Sequence, residues 1–515
     1  MPVRYLNGTM YSQSAYRHVP HLWLRPGKSN RPINVDPGQP VCVRVAVPPV
    51  QYGYNQSHSK ENDVHRGSEM DSLIIWVYNE ANGTRKVLKM NPWSGYNSWG
   101  NELHRTAQGL PIYDVRIYEA EIQLYDSGEY AFDGIVEKRI YGTTSPWRIQ
   151  KSPHTISVRA KEIPHKWSAE SYLKLPLCYS SDNDGRWVSK VPGLTDTSTK
   201  RNQKVYAVQR GDQLFSWIPY NCKHDVLKFQ SLRQCLIRTA KRVHWYVDQE
   251  DRGLYIRKLW SYGRWCSRQD AWRKRCACAD LSYDWDMMTT NGRVVNIRLM
   301  NQTMFNERMI ERNGVVSNER VDSVVGFSPT TTATSRPDIA VEDDPSIVAI
   351  KFGGLLRSTT HHIFGRDPFE ASYAEYLNDR QRFSKPNLVI IGFPLRDIKA
   401  LSFEEFDARL TQLIEDFKFR YRVIPIIYKS FRYSCCGKDG LTSSVIERYE
   451  EHTRKRFVQE LNAEVWDTWI MGKDWATTSD YIESQQCPKS HAISQGLIDV
   501  ENHVLLNAIC NQLSG

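Results

Sequence analysis

The chain of 515 residues is 40% hydrophobic and 11% aromatic, which is enough apolar side chain for more than one core and excludes a globally disordered protein. No apolar run reaches the ~18 residues that a membrane-spanning helix needs. No signal peptide is visible in the first residues, MPVRY. The formal net charge is +10, so an anionic partner is one expectation.

The first third of the sequence predicts β structure. Residues 1–36 are rich in Pro, Gly and Tyr without a period, which predicts an irregular arm. Apolar and polar residues alternate at 42–47 (CVRVAV) and 118–124 (YEAEIQL), and 73–78 (LIIWVY) is a continuous apolar run. Short strands between turn signals predict an immunoglobulin-like or filamin-like β-sandwich over 37–165.

The segment Asp126-Ser-Gly-Glu-Tyr130 has the pattern of a tyrosine corner. In that motif a Gly relieves the turn and the phenol bonds back to the backbone. A plain hairpin turn is the alternative. The paired cysteines of an antibody-type domain are missing, so the similarity is to the architecture alone.

From residue 243 onward, strand patterns alternate with amphipathic helices. Strands are predicted at 243–247, 347–352, 387–391, 423–428 and 463–466. Helices are predicted at 403–417, preceded by a capping box of Ser402 and Glu405, at 445–461 and at 500–513. This order predicts a three-layer α/β domain with a mostly parallel sheet over 166–515, with a loop insertion near 328–346.

The eleven cysteines are scattered and contain no CxxC pair. This spacing favours disulfides over a metal site, and it leaves the connectivity open. Asp499 and His503 stand four residues apart on the last helix, which predicts an ordinary surface contact. No metal and no cofactor are expected.

Several fragments in order resemble one known family. They are LPLC at 175–178, GRWV at 185–188, WIPYNC at 217–222, QCL at 234–236 before KRVHW at 241–245, VDQEDR at 247–252, GFPLRD at 392–397 and LLNAICN at 505–511. Together they resemble the PC-esterase group of the SGNH (GDSL-like) hydrolase superfamily over about residues 170–513. The resemblance implies polysaccharide O-acetyl chemistry, an N-terminal immunoglobulin-like domain and a secreted or Golgi-route protein.

The resemblance also implies a catalytic site, and most of its chemical positions are changed here. The nucleophilic Ser position holds Gln249, although Asp248 and Arg252 around it are retained. The Asn that would donate to the oxyanion is replaced by Gly392, and the nearby family Gly by Pro394, which has no N–H. Arg396 and Asp397 stand where the family has His-Asp. The Asp-x-x-His motif reads Pro488-Lys-Ser-His491, which keeps the base and loses its partner. These substitutions predict a catalytically degenerate domain.

A basic and aromatic block follows the first strand of the α/β region. Residues 252–275 hold eight basic side chains and one acid, Asp270. Candidate ligand-binding residues are Arg257, Lys258, Trp260, Arg264, Trp265, Trp272 and Arg273. Aromatic faces stack on sugar rings and Arg grips carboxylates or sulfates, so we expect a polysaccharide or glycoprotein ligand. A solvated basic face, a partly buried set of Trp side chains and single-stranded nucleic acid are the alternatives.

The leading hypothesis is therefore a secreted pseudoenzyme that binds a glycan or a glycosylated partner. One rival is an active O-acetyl esterase or O-acetyltransferase that uses another serine, such as Ser490 beside His491. A second rival is a basic nucleic-acid-binding protein.

Overall fold

The computed structural model describes residues 21–25, 33–47, 71–79, 81, 83–92, 104–105, 111–112, 116–138, 147–149, 155–159, 169–181, 184–189, 205–210, 213–227, 234–236, 238–240, 242–247, 255, 295–298, 346–352, 354–355, 386–433, 441–476 and 495–512. Within these ranges the first half of the chain forms largely antiparallel sheets. The second half forms a mostly parallel sheet with helices.

The first half contributes fifteen strands and one helix in the described ranges. They are β1 His21–Arg25, β2 Ile33–Val35, β3 Pro40–Val47, β4 Ser72–Asn79, β5 Thr84–Leu88, β6 Asn91–Pro92, β7 His104–Arg105, β8 Pro111–Ile112, β9 Arg116–Gln123, β10 Gly128–Lys138, β11 Trp147–Arg148, β12 Ile156–Val158, α1 Ala169–Lys174, β13 Gly185–Val188, β14 Val208–Arg210 and β15 Gln213–Pro219.

These strands form two larger sheets and one two-stranded ribbon, β7-β8. The smaller sheet has the order β1-β3-β9-β6 and is antiparallel throughout. The large sheet has the order β14-β15-β13-β5-β4-β10-β12-β2, with β11 paired to β10. Strands β1 and β2 lie in the stretch expected to be an irregular arm. Both form through pairing with distant strands, β3 and β12, which local composition does not show.

The two sheets enclose a common apolar core. Strand β3 contributes Val41, Val43 and Val45 to it, because every second side chain of a strand points to the same face. From the large sheet, Ile75 and Val77 of β4 pack into the same core. The alternating pattern of the sequence therefore marks the strands that have one face in this core.

The predicted tyrosine corner is confirmed. The Tyr130 hydroxyl donates a hydrogen bond to the Asp126 carbonyl oxygen at 3.0 Å. Gly128 between them has a φ of 129°, which a residue with a side chain adopts only under strain. The Asp126 carboxylate accepts from Arg186 Nε at 2.6 Å and from Arg186 Nη2 at 2.7 Å, with both side chains buried. The corner is thereby tied to strand β13.

Arg186 belongs to the GRWV fragment, which the sequence assigns to the second domain. Strand β13 pairs with β5 through Trp187 and Arg85, and with β15 along its whole length. The large sheet therefore continues across the predicted domain boundary at residue 165.

The second half contributes six strands and five helices in the described ranges. They are β16 Arg242–Val247, β17 Val295–Arg298, β18 Ser346–Lys351, β19 Leu388–Gly392, α2 Leu395–Ala400, α3 Phe403–Arg420, β20 Ile426–Lys429, α4 Ser443–Leu461, β21 Glu464–Trp466, α5 Thr468–Trp475 and α6 Gln495–Gln512. The sheet order is β17-β18-β16-β19-β20-β21. The last five strands of this order are mutually parallel, and β17 is an antiparallel edge.

Helix α3 forms where its sequence pattern predicts it. The Ser402 hydroxyl accepts from the Glu405 amide and the Glu405 carboxylate accepts from the Ser402 amide, so the capping box is present. The apolar face buries Phe406, Leu410 and Phe417 among others. Strand β20 begins at Ile426, three residues later than the sequence predicts, because the chain first turns at 421–424 before Pro425.

The two halves share a core. Ile74 and Trp76, on the second face of β4, lie in the same apolar cluster as Tyr428 and Phe457 of the α/β half. Between the halves, the buried Glu137 carboxylate accepts from the Ser72 hydroxyl at 2.8 Å and from the amide of Ser443, which begins α4, at 2.7 Å.

Two disulfides resolve part of the cysteine pairing. Cys178 bonds to Cys222, and Cys235 bonds to Cys510 in helix α6. The second bridge spans 275 residues, so in the chain-entropy view it stabilises the fold by up to ~5 kcal/mol. The pairs at 276/278 and 435/436 lie outside the described residues. Among the helices of the described ranges, none is long and apolar enough to span a membrane.

Candidate functional site

The strand order of the parallel sheet indicates where a ligand-binding crevice is expected. The chain runs from the central strand β16 to β18 on one side, and then to β19, β20 and β21 on the other. The order reverses between β16 and β19, whose residues Tyr246 and Ile391 are paired neighbours. In open α/β sheets, ligands bind at the carboxyl ends of the strands that flank such a reversal.

The predicted site residues follow these two strands in sequence. Asp248, Gln249 and Arg252 come directly after β16, whereas Gly392, Pro394, Arg396 and Asp397 end β19 and begin α2. The latter four are described. Outside the described residues lie Asp248, Gln249, Arg252, Pro488, His491 and all seven candidate ligand-binding residues, which are Arg257, Lys258, Trp260, Arg264, Trp265, Trp272 and Arg273. The structure thus leaves their roles as predictions.

The end of β19 offers few hydrogen-bond donors. Gly392 is buried, and a Cβ added to it would contact the Lys429 side chain at 3.4 Å. Pro394 is the N-cap of α2, makes no side-chain capping bond and carries no N–H. Its carbonyl instead accepts from the Asp397 amide at 3.1 Å. Neither residue can donate from a side chain to a developing oxyanion.

Asp397 is a fully buried carboxylate that holds two chain segments together. Its Oδ2 accepts from the Leu355 amide at 2.7 Å. Gly354 next to it has a φ of 78°, and a Cβ there would lie 2.4 Å from the same Oδ2. Only Gly fits this approach, so Asp397 orders the segment after β18 against α2. Arg396, by contrast, points to the surface.

A buried lysine at the same edge was missed from the sequence. Lys429 ends β20 with 1% exposure, and its Nζ lies 4.5 Å from the ring centroid of Tyr255 and 6.0 Å from that of Trp466. Glu501 of α6 anchors both rings, since it accepts from the Tyr255 hydroxyl at 2.6 Å and from Trp466 Nε1 through its carbonyl at 3.0 Å. The sequence feature that could have indicated this lysine is a basic residue at the end of an otherwise apolar strand, IIYK.

Beside it, a second buried carboxylate orders the chain after β20. Glu450 accepts from the Tyr428 hydroxyl at 2.6 Å and from the Phe431 amide at 2.8 Å. Burial raises the pKa of Glu450 and places the pKa of Tyr428 well above its ordinary value. Arg454 opposes the effect on Glu450 and also pairs with Asp467. The groups of this network hydrogen-bond or pair with one another, so we interpret it as a structural feature.

The surface contact expected for Asp499 and His503 is wrong for the histidine. His503 is 2% exposed, stacks on Tyr206 with ring centroids 4.8 Å apart and meets His224 edge-on. Burial lowers the pKa of His224 to about 3 and that of His503 well below its usual range. Both imidazoles are therefore neutral packing groups at physiological pH. The sequence missed this because both faces of α6 are covered.

Within the described ranges no group of three or more His, Cys, Asp or Glu side chains is arranged to hold a metal ion. No protein-family model matches the chain, and no curated protein matches it significantly. The class of this protein is therefore defined by its fold alone. It is a β protein of face-to-face sheets joined to an α/β sheet with one topological reversal.

Proposed function

We propose that this protein is a non-enzymatic relative of the SGNH hydrolases that binds a polysaccharide or a glycoprotein. In this proposal the first half is an immunoglobulin-like sandwich and the second half an SGNH-like domain. The supporting observation is the order of the parallel strands in the sheet, β18-β16-β19-β20-β21. In this order the direction in which successive strands are added reverses between β16 and β19. Those two strands are the ones followed by the fragments that resemble the family's catalytic motifs.

The chemistry at those positions favours binding over acyl transfer. The carboxamide of Gln249 cannot form an acyl ester, and loss of the nucleophile costs roughly 10⁶ in kcat in subtilisin-type enzymes. Gly392 and Pro394 remove the donors that would stabilise an oxyanion. The packing of Lys429 against Gly392 is consistent with a crevice floor that is filled by side chains.

The binding proposal uses the block at 257–273. Its Trp side chains offer flat faces for sugar rings, and its Arg side chains offer paired donors for carboxylates or sulfates. Two disulfides favour an oxidising compartment, which is where such ligands occur.

The test measures binding of the full chain to acetylated xylan, a sulfated glycan and a single-stranded oligonucleotide. We expect Trp265→Ala and Arg264→Ala each to weaken glycan binding by about tenfold, through loss of one stacking or forked contact. Phe419→Ala is the matched control, because this aromatic residue of α3 is 88% exposed and lies outside the block. Unchanged glycan binding in both block variants would reject the proposed surface.

Two further outcomes would favour the rivals. Hydrolysis of p-nitrophenyl acetate above background that His491→Ala abolishes would establish an esterase. Oligonucleotide binding at physiological ionic strength, with a steep salt dependence and no glycan binding, would establish the nucleic-acid alternative.

A further inference from the structure

Four N-glycosylation motifs (Asn-x-Ser/Thr) occur in the sequence, at Asn7, Asn55, Asn82 and Asn301. The motif at 82–84, Asn-Gly-Thr, is the one whose surroundings the structure describes. Asn82 itself lies outside the described residues, whereas Ala81, Gly83 and Thr84 lie within them. These neighbours therefore show what part of the fold carries the motif.

The motif lies at the connection between strands β4 and β5. The last paired residues of the two strands are Asn79 and Thr84, so the connection consists of residues 80–83. The Gly83 amide donates to the Asn79 carbonyl oxygen at 2.8 Å, and the Asn79 side chain accepts from the Ala81 amide at 2.9 Å. Gly83 has a φ of 70°, which suits a tight hairpin turn.

Exposure to solvent changes abruptly along this hairpin. Asn79 and Thr84 are 1% and 3% exposed, and β4 is buried along nearly its whole length. In the connection, by contrast, Ala81 is exposed and Gly83 is half-buried. A bulky polar group on either strand would displace the core, whereas a group attached in the connection extends into solvent. The motif thus has its Asn in the part of the hairpin that accommodates an oligosaccharide.

The other two residues of the motif are held by the fold. A Cβ on Gly83 would clash with the Ser189 hydroxyl just after β13, so this position requires Gly. The Thr84 hydroxyl donates to the Asp126 carboxylate at 3.2 Å and is buried with it. The glycosylation motif is defined by this hydroxyl, which is not accessible to an enzyme once the bond to Asp126 has formed. Transfer must therefore precede the packing of β5 against the tyrosine corner.

We propose that Asn82 is an acceptor for an N-linked oligosaccharide, which is attached before the chain folds. The donor is a lipid-diphosphate oligosaccharide. The Asn82 carboxamide nitrogen bonds to the anomeric carbon of the donor and loses a proton, while the bond from that carbon to the diphosphate oxygen breaks and the lipid diphosphate leaves. The two disulfides favour the oxidising compartment that the reaction requires. The proposal shares this compartment with the proposed function and does not depend on glycan binding.

The test expresses the full chain behind a cleavable secretory signal in a eukaryotic cell. The other three motifs are removed by the substitutions Asn7→Gln, Asn55→Gln and Asn301→Gln. Chain recovered from the secretory membranes and the medium is treated with a glycosidase that releases N-linked oligosaccharides and converts the acceptor Asn to Asp. We expect a loss of mass on treatment, and peptide mapping should find Asp in place of Asn82.

Three further variants separate the modification from effects on the fold. Asn82→Gln removes the acceptor and keeps the Thr84 hydroxyl, so it should show no loss of mass. Thr84→Ser keeps a hydroxyl both for the motif and for Asp126, so it should retain the oligosaccharide. Ala81→Gln is the matched control, because it puts the same new side chain one residue earlier and leaves the motif intact. It should lose as much mass as the native sequence.

A second measurement tests the order of events. Unmodified chain is offered to membranes that contain the transferring enzyme and the lipid-linked donor, once folded and once reduced and unfolded. The folded chain should be modified about tenfold less, or lower still, because local opening of a buried hairpin is rare. Equal modification of the two forms would contradict transfer before folding.

The proposal fails if the chain that keeps only the motif at Asn82 loses no mass, since Asn82 and Gly83 then serve the hairpin turn alone. It also fails if Asn82→Gln still loses mass, because the oligosaccharide is then attached elsewhere. An unmodified chain that binds acetylated xylan or a sulfated glycan would overturn this proposal and leave the proposed function intact. A modified chain that binds neither would do the reverse.

Discussion

Strand β4 of the large sheet and strand β19 of the parallel sheet are both apolar along nearly their whole length, for different reasons. Strand β19 lies inside a parallel sheet, where both faces are covered by other elements as a rule. Strand β4 belongs to an antiparallel sheet, whose strands ordinarily alternate. It is buried on both faces because Ile75 and Val77 face the sandwich core, while Ile74 and Trp76 face the α/β half.

The burial of both faces of β4 shows how the two halves are joined. Helix α4 packs on β4, and α5 packs on β5 and β13. The large sheet therefore acts as a middle layer between the small sheet and the helices. The buried polar groups follow the same division. Asp126 and Arg186 hydrogen-bond to each other within the large sheet. Asp474 of α5 accepts from the Val87 amide of that sheet with one oxygen, and its other oxygen has no partner within the described part of the chain.

The largest expected effect is a cavity in the α/β half. Phe417→Ala removes a fully buried ring of α3 and should lower the free energy of unfolding by about 3–5 kcal/mol. Phe419→Ala on the same helix removes a ring that is 88% exposed, and should change it by less than ~0.5 kcal/mol. Denaturant unfolding of both variants measures the contrast. Similar losses would mean that the surface of α3 is covered in solution.

A comparable effect is expected in the antiparallel half when its buried ion pair is broken. Arg186→Ala leaves the Asp126 carboxylate buried without its partner and should cost about 3–5 kcal/mol. The same measurement on Lys418→Ala, which breaks exposed pairs with Glu415 and Glu460, should give a far smaller loss, because solvent screens both pairs. Equal effects of the two variants would contradict the closed environment of the corner.

The junction between the halves should show a pH dependence. The folded-state pKa of Asp474, about 8, is raised above its unfolded value of 3.8. Its contribution to stability is complete below about pH 4 and is lost as the pH rises toward 8, by at most ~1.4 kcal/mol per pH unit. Unfolding measured from pH 5 to 9 should show a shallower decline for Asp474→Asn than for the native chain. If the free energy of unfolding falls equally with pH in both proteins, a group other than Asp474 causes the pH dependence.

The smallest expected effect is at a helix end. Ser402→Ala removes the side-chain half of the capping box of α3 and should cost ~1 kcal/mol. Ser402→Gly should cost only a few tenths of a kcal/mol, since Gly also suits an N-cap. Thermal unfolding of the two variants separates the loss of the cap from a loss of packing.

The local elements were predictable where one short-range pattern decides them. The capping box, the apolar face of α3, the tyrosine corner and the presence of all five parallel strands follow from spacing within about ten residues. The crevice could be predicted only in part. Gly392 and Pro394 follow a recognisable strand, but the buried Lys429 gains its aromatic neighbours from Tyr255 and Trp466, which are remote in sequence.

The amino-acid sequence by itself determined the change from β to α/β structure, the capped start of helix α3 and the absence of a hydroxyl at position 249. These properties depend on side-chain identity and on periods of two or 3.6 residues, which act within one element. Only the tertiary structure decided the rest. It paired β1 and β2 with distant strands, extended the large sheet through β13, buried His503 and left an oxygen of Asp474 with no partner among the residues that the structure describes. Each of these depends on which surfaces meet, and burial by a remote segment leaves no trace in the local pattern.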